Sequence, residues 1–195
     1  MSERTSKPTV GALPDVAADS PPASVALTWV VWSLFAASLV ALVARVRLDG
    51  IWEISGLVAV DGLTVLLWTV VTFFSGIVHS YSRRYMAGSA HETDFFAAAF
   101  GFTVVVMGLA AADHLVLFAA LWLAMGLVMA ELVGTLDGWK QARAAERVAR
   151  RYFLASGALL AVASAALWWA TGATTVSGVA AAADELGGTA WLVAA

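Results

Sequence analysis

The sequence predicts an all-α integral membrane protein with about five transmembrane helices. Hydrophobic residues make up 61% of the chain and charged residues only 13%, whereas soluble domains average roughly 25% charged residues. The apolar residues are gathered into runs of about twenty, which is long enough to cross a hydrocarbon core of about 30 Å. Basic residues cluster between these runs, and such clusters mark the cytoplasmic side of a membrane protein.

The composition also excludes several classes of function. The chain has no cysteine, which rules out disulfides, thiolate metal sites and cysteine nucleophiles. A net charge of −3 gives no reason to expect nucleic acid as a partner. The three histidines, His79, His91 and His114, are scattered, so we predict no metal site and no cofactor. Because phosphate loops, dinucleotide fingerprints and nucleophile elbows are absent from the sequence, we predict no catalytic site of its own.

The predicted spans follow one another with short connections. They are residues 25–44, 63–80, 94–112, 115–134 and 152–170. Residues 1–24 are rich in Pro, Ser, Thr and Asp and lack an apolar core, which indicates a disordered tail rather than a signal peptide. The remainder, 25–195, is predicted to form one transmembrane helical domain. A sixth apolar run begins at Gly187 and stops at Ala195, so we interpret the chain as a fragment, a truncated reading frame or half of a split subunit.

The segment 135–151 is a basic loop or helix. Strong helix formers alternate there with basic residues spaced three and four apart, which predicts either a surface helix or an extension of the fifth span.

Orientation follows from the basic residues. With the N-terminus in the cytoplasm, nine of the eleven basic residues are cytoplasmic and only Arg45 and Arg47 lie outside. This orientation predicts that Asp113 and His114 are outside. The residues predicted to anchor the cytoplasmic face, or to dock a partner or acidic lipid headgroups, are Arg83, Arg84, Lys140, Arg143, Arg147, Arg150 and Arg151.

Ionisable groups within or beside the spans are candidates for proton transfer. His79 is either an interfacial side chain bonded to a backbone carbonyl or headgroup, or a relay group that titrates near neutral pH. Glu131 is either a solvated carboxylate about one turn from the inner boundary or a buried group that binds and releases protons. Asp113 is predicted to cap the fourth span, the alternative being a proton entry site shared with His114. Asp61 is predicted to cap the second span.

Several short motifs then resemble one family. They match the third-helix signature and later helices of antiporter-like proton-conducting subunits, a family that includes subunit L of the NADH–quinone oxidoreductase (complex I), the corresponding protein of the Mrp antiporter, and DabB. The matching residues are Asp61-Gly62-Leu63, His79-Ser80-Tyr81-Ser82, Tyr85-Met86, Phe95-Phe96-Ala97, Ala112-Asp113-His114-Leu115-Val116-Leu117, Trp122, and Arg151 with the five residues that follow it. The resemblance covers about residues 57–195, most of the chain.

The resemblance implies a plasma-membrane subunit that supports proton translocation together with other membrane subunits. The sequence also departs from the family's pattern. The family has a glutamate after its tryptophan, whereas Leu123 follows Trp122 here. Glu131 comes eight residues later, which places it about 80° away around the helix. The family's lysine on the following helix would lie beyond Ala195.

The missing glutamate and the basic segment Lys140–Arg151 favour a DabB-like subunit over a respiratory one. By resemblance, such a subunit uses the proton gradient to drive a DabA-like zinc protein that hydrates carbon dioxide. The alternative is a structural membrane anchor that has kept the fold and lost the relay. The family also has two helices before the signature and an outside N-terminus. A single preceding helix here agrees with an inside N-terminus.

Overall fold

A computed structural model describes residues 21–47, 52–54, 56–89, 91–135 and 140–186. In chain order the elements are α1 (Pro22–Arg47), β1 (Trp52–Ile54), β2 (Val58–Val60), α2 (Gly62–Tyr85), α3 (Glu92–Ala111), α4 (Leu115–Gly134), α5 (Lys140–Thr171) and α6 (Val176–Leu186). Five of these described helices, α1 to α5, are long and apolar enough to cross a membrane. The predicted all-α membrane fold is confirmed.

The helix bounds agree with the predicted spans to within a few residues, apart from the start of α5. The fourth span matches α4 at both ends. α1 begins at Pro22, so the last three residues of the predicted tail are helical. Residues 1–20 of that tail lie outside the described residues, as does the predicted start of a sixth helix at Gly187.

The basic segment before the fifth span is part of the span's own helix. α5 runs without interruption from Lys140 to Thr171, 32 residues. The basic residues therefore form the first turns of α5 rather than a separate surface helix. A shorter helix, α6, follows it after a brief connection.

The long helices pack in chain order. α1 lies against α2 and α3, α3 also packs against α4, and α4 packs against α5. A small antiparallel hairpin joins α1 to α2, with Trp52 opposite Val60 and Ile54 opposite Val58. Sequence analysis missed this hairpin because three-residue strands are too short to show an alternating pattern.

Glycines allow two of these helix pairs to approach closely. A Cβ atom added at Gly76 would lie 2.9 Å from Cε2 of Trp32, where α2 meets α1. One added at Gly126 would lie 2.6 Å from Cβ of Phe153, where α4 meets α5. Small residues at such points are typical of membrane helix interfaces, where van der Waals packing drives association.

Asp61 caps α2, as predicted. Its carboxylate accepts hydrogen bonds from the Thr64 amide at 2.7 Å and from the Thr64 hydroxyl at 2.8 Å. The same hydroxyl lies 3.3 Å from the carbonyl oxygen of Ala110, so the cap also connects α2 to α3. The hydrogen bonds from Thr64 lower the pKa of Asp61 from its ordinary value.

This cap makes stability depend on pH. Because the folded-state pKa of Asp61 is lowered, its charge contributes stability above the unfolded pKa of about 3.9. That contribution is lost as the pH falls through the lowered folded value. We expect Asp61→Ala to cost about 1 kcal/mol at neutral pH, and Asp61→Asn to retain most of the cap but unfold with a flatter pH dependence. Thermal unfolding in detergent across this pH range measures both effects. An unchanged pH profile in Asp61→Asn would contradict the assignment.

Candidate functional site

The interior enclosed by α1, α2 and α3 is polar for a membrane bundle. We call this region the polar interior. Its buried polar side chains are Ser24, Thr28 and Ser38 on α1, Thr64, Thr72, His79 and Ser82 on α2, and Glu92 and Thr103 on α3. Polar and ionisable groups within membrane helices generally face a bundle interior and mark functional positions. Two residues of this set, His79 and Glu92, are ionisable.

His79 lies fully inside the polar interior, with a solvent exposure of 0%. Its Nδ1 is 2.9 Å from the carbonyl oxygen of Ser75, one turn earlier on α2. Since a carbonyl only accepts hydrogen bonds, Nδ1 carries the proton of the neutral ring, and Nε2 has the free lone pair. Nε2 is buried and has no hydrogen-bond partner among the described residues. The carbonyl bond expected from the sequence is present, and the ring is buried between helices.

A hydroxyl pair connects this histidine to α3. Ser75 Oγ lies 3.3 Å from Nδ1 of His79 and 2.6 Å from Oγ1 of Thr103. The hydroxyl of Thr72, one turn further from His79, instead bonds the carbonyl of Trp68 on its own helix at 2.6 Å. Such local bonds satisfy a hydroxyl without linking helices. The hydrogen-bonded path from His79 is therefore short, and it ends on α3.

Glu92 is a buried ionisable residue that sequence analysis did not single out. It is the first residue of α3 and only 2% exposed. Its Oε1 is buried without a hydrogen-bond partner in the described part of the chain. The sequence does carry a signal for this placement, because Glu92, Phe96 and Thr103 follow helical spacing and share one face of α3.

The other predicted proton-relay residues lie elsewhere. Glu131 is exposed near the end of α4. Asp113 and His114 lie in the turn between α3 and α4, at the end of the bundle opposite the α2–α3 turn. The structure therefore does not bring His79 together with Glu131, Asp113 or His114.

The prediction that Asp113 caps α4 is wrong. The cap of α4 is His114, whose Nδ1 accepts a hydrogen bond from the Val116 amide at 3.3 Å. Asp113 instead receives the amide of Ser177 at 2.8 Å and its hydroxyl at 2.7 Å, in the first turn of α6. A partner 64 residues away in the chain is not visible in local sequence patterns.

Backbone hydrogen bonds hold three connections together around this turn. The Leu57 carbonyl, in the hairpin, accepts from the amides of Asp113 at 3.0 Å and His114 at 3.2 Å. The Leu115 amide donates to the Thr174 carbonyl at 3.0 Å, in the connection between α5 and α6. We call these joined connections the turn cluster.

Removing the Asp113 carboxylate should release α6. We expect Asp113→Ala to lower the local stability of α6 by about 1–2 kcal/mol, since two hydrogen bonds to its first turn are lost. Hydrogen exchange followed by mass spectrometry should show faster exchange in Val176–Leu186. His114→Ala is the matched control, because it removes the cap of α4 and should speed exchange there instead. Equal exchange of α6 in the wild type and Asp113→Ala would contradict this role.

Comparison of the sequence with known proteins shows which family this part of the chain resembles. Residues 50–96, which span the hairpin, α2 and the start of α3, match the family model described as NADH-ubiquinone oxidoreductase (complex I), chain 5 N-terminus. This segment is similar to the N-terminal part of the antiporter-like complex I subunits. His79 and Glu92 both lie within this match.

Relatives of the antiporter-like family share short stretches with the chain. NADH-quinone oxidoreductase subunit L of Rickettsia typhi is 28% identical over 103 residues, which is 53% of this chain and 15% of the relative. NADH-ubiquinone oxidoreductase chain 5 of Dictyostelium citrinum is 37% identical over 68 residues, 35% of this chain and 10% of the relative. The chain thus spans between 10% and 15% of the length of these relatives.

Leu123, which follows the tryptophan shared with the family, makes an apolar contact here. Trp122 donates from Nε1 to the hydroxyl of Ser156 at 3.0 Å, which joins α4 to α5. The side chain of Leu123 packs towards Gly157, where an added Cβ would lie 3.1 Å from its Cδ1. Leu123 therefore contributes to the α4–α5 interface at the position where the resemblance predicts a proton-carrying glutamate.

The predicted basic residues lie at the end of the bundle opposite the turn cluster. Arg84, Lys140, Arg143, Arg147, Arg150 and Arg151 are exposed, and Arg83 is half-buried. Those on α5 fall within an arc of about 100° around the helix, from 3.6 residues per turn. On this face Glu146 pairs with Arg150 at 2.9 Å. That these residues anchor the cytoplasmic face, or dock a partner or acidic lipid headgroups, stays a prediction.

Two cavities border α5 near the turn cluster. The larger, of about 540 Å³, lies between Val106, Phe118 and Leu160 and has only apolar residues and one serine in its lining. The smaller, of about 300 Å³, includes His114 and Trp168. Neither cavity reaches His79 or Glu92. The polar interior is the candidate site because it holds these two buried ionisable residues.

Proposed function

We propose that this multi-pass membrane protein acts as an antiporter-like subunit of a proton-coupled complex. In this role it supports proton translocation that drives inorganic-carbon uptake or respiratory energy conversion. The observation that carries the proposal is the buried imidazole of His79, linked to Ser75 and Thr103, inside the segment that matches the complex I family. An imidazole titrates near neutral pH, so it is suited to accept and release a proton in a bundle that excludes water.

The proposed partners are the lipid bilayer and other membrane subunits of the same complex, in the plasma membrane. Large apolar side chains such as Phe74, Leu159 and Trp169 point outward from α2 and α5, which is suited to contact with lipid or with neighbouring helices. Leu123 in place of a glutamate, and the basic start of α5, favour a DabB-like subunit. Its partner would then be a DabA-like zinc protein, which supplies the metal chemistry.

One alternative has support of its own: a structural anchor that does not conduct protons. The chain has two lysines, Lys7 and Lys140, and neither lies in an apolar stretch. Glu131 is exposed, and Leu123 packs between helices. A conduction path made by this chain would therefore depend on the polar interior alone.

Substitution of His79 distinguishes the two functions. In native membranes, we expect His79→Ala to lower proton-driven activity of the assembled complex at least about tenfold, as removal of a proton-transfer group does, while the complex still assembles. His91→Ala is the matched control, because His91 precedes α3 outside the polar interior. Proton uptake is followed with a pH-sensitive dye, and assembly by affinity purification. Full activity of an assembled His79→Ala complex would instead support the structural anchor.

The identity of the complex needs a separate test. Affinity purification of the intact chain from its native membrane, with zinc analysis of the proteins that co-purify, separates the two settings. A zinc-containing partner encoded beside this chain would support inorganic-carbon uptake. Co-purification of quinone oxidoreductase subunits would support respiration.

A further inference from the structure

We propose that the basic end of α5 binds an anionic phospholipid of the surrounding bilayer, with Arg147 and Arg151 holding its phosphate group. The sequence leaves open whether the basic residues of this segment anchor the chain, dock a partner or bind acidic headgroups. Three features of α5 favour a lipid: the face on which the two arginines lie, their depth in the membrane, and the charges beside them. This lipid contact is separate from His79 and goes beyond the proposed role in proton translocation.

The two arginines lie on a face of α5 that stays exposed along the whole span. Leu154, Val162 and Trp169 are exposed large hydrophobic residues on that face. Arg147 precedes Leu154 by seven residues, and Arg151 precedes Trp169 by eighteen, so each pair lies within about 20° around the helix. Because α5 is one uninterrupted helix, its basic end faces the same way as its apolar stretch. A lipid whose acyl chains lie along Leu154 therefore has its headgroup beside these arginines.

The packed side of α5 points elsewhere. Phe153 fills the space beside Gly126, at the interface with α4. Phe153 lies about 120° around the helix from Arg147 and about 160° from Arg151. Both arginines are exposed. They are therefore directed away from α4, towards the surroundings of the bundle.

Exposed aromatic side chains indicate the depth of α5 in the membrane. Tyr152 is 74% exposed near one end of the span and Trp169 is 86% exposed near the other. Tyrosine and tryptophan are enriched at both membrane interfaces. The rise from Tyr152 to Trp169 is about 25 Å, close to the roughly 30 Å of a hydrocarbon core. Arg151 and Arg147 lie about 2 and 8 Å beyond Tyr152, which places them in a headgroup layer about 5–8 Å thick.

The first basic residues of α5 lie further from the hydrocarbon core. Arg143 and Lys140 are about 14 and 18 Å beyond Tyr152, outside the headgroup layer. There they attract anionic lipid only through the surface potential, which decays within a Debye length of about 8 Å. A water-soluble acidic protein would meet these two residues first. They carry the same charge on the same helix, so they provide a matched control for Arg147 and Arg151.

The charges of α5 leave the two arginines without a carboxylate from their own helix. α5 has five basic side chains and one acidic side chain, Glu146. Glu146 bonds Arg150 at 2.9 Å and compensates that charge. Arg147 donates from Nε to the carbonyl oxygen of Arg143 at 3.3 Å, a bond that does not use its two terminal nitrogens. Guanidinium groups bind phosphate oxygens through paired hydrogen bonds, so a lipid phosphate complements Arg147 and Arg151.

Binding of phosphatidylglycerol to the full chain in a mild detergent, followed by native mass spectrometry, measures the site. We expect the wild type to retain phosphatidylglycerol in preference to phosphatidylcholine. Arg147→Gln/Arg151→Gln should weaken the affinity for phosphatidylglycerol about thirty-fold, since each arginine near an anionic lipid surface contributes about fivefold. Lys140→Gln/Arg143→Gln removes the same charge and should weaken it less than about fivefold. Equal weakening by the two double variants, or equal retention of phosphatidylcholine, would overturn the site.

Thermal unfolding distinguishes a lipid from a free anion. Phosphatidylglycerol should raise the unfolding temperature of the wild type, whereas inorganic phosphate at the same concentration should not, because it has no acyl chain to lie along Leu154. An equal rise with phosphate would overturn the lipid assignment. With phosphatidylcholine alone, Arg147→Gln/Arg151→Gln should unfold at the wild-type temperature, because both side chains are exposed. Neither measurement involves proton uptake, so the result is independent of the outcome for His79.

Discussion

Replacing Gly126 by alanine should destabilise the bundle by about 1–3 kcal/mol, the usual cost of overpacking a filled interface. The new Cβ would lie 2.6 Å from Cβ of Phe153 and closer still to its ring. The ring alone can turn away, but Cβ of Phe153 is fixed to the backbone of α5. The two helices must therefore move apart, and the contacts of Leu123 with Gly157 are loosened with them.

Gly101→Ala is the matched control, because nothing lies within 4 Å of an added Cβ there. Alanine is a better helix former than glycine by about 1 kcal/mol, so this change should stabilise α3 by up to that amount. Thermal unfolding in a mild detergent compares the two variants with the wild type. Opposite signs are expected, and a stabilised Gly126→Ala variant would show that α4 and α5 do not approach as closely as described.

Phe96→Ala should cost about 2–4 kcal/mol and should also disturb the histidine beside it. In water-soluble cores, Phe→Ala changes cost about 3–5 kcal/mol, part of it from transfer out of water and part from the cavity left behind. Within a membrane the transfer part is small, since lipid is as apolar as the helix interface. The cavity part remains, because Phe96 is 0% exposed and packs against His79 and Phe95.

Phe74→Ala provides the comparison for Phe96. Phe74 is 61% exposed on the outer face of α2, where lipid replaces the lost side chain. We expect little change in its unfolding temperature and none in the NMR signals of His79. Phe96→Ala should lower the unfolding temperature by several degrees and move those signals. Equal effects of the two substitutions would mean that Phe96 does not lie in a packed interior.

The membrane fold could be predicted because hydropathy and length determine a spanning helix with little help from tertiary contacts. The α4 bounds follow from an apolar run flanked by the polar turn at Asp113 on one side and a glycine on the other. The hairpin could not be predicted, because its strands are three residues long. Whether the basic segment continues the fifth span could not be predicted, because composition alone does not distinguish a separate surface helix from an extension of the span.

The candidate site was only partly predictable. His79 stands out as an ionisable group in an apolar run, but its burial depends on α1 and α3. Glu92 was not singled out because the polar residues around it are typical of a solvated loop, whereas it begins α3 and is buried. Asp113 is a good cap by residue type, yet its partner comes from α6. In each case the decisive contact joins residues that are distant in the chain.

The length of α5 has a mechanical consequence. Its 32 residues extend about 48 Å at 1.5 Å per residue, while the hydrocarbon core is about 30 Å thick. Roughly 18 Å of rigid helix, including Lys140, therefore projects beyond the core. Glu146 on this projecting part fills the space beside Gly134, where an added Cβ would lie 2.8 Å from its Cδ, so α4 braces it. If α5 tilted by about 10° within the bilayer, Lys140 at the end of this projecting part would move sideways by about 3 Å.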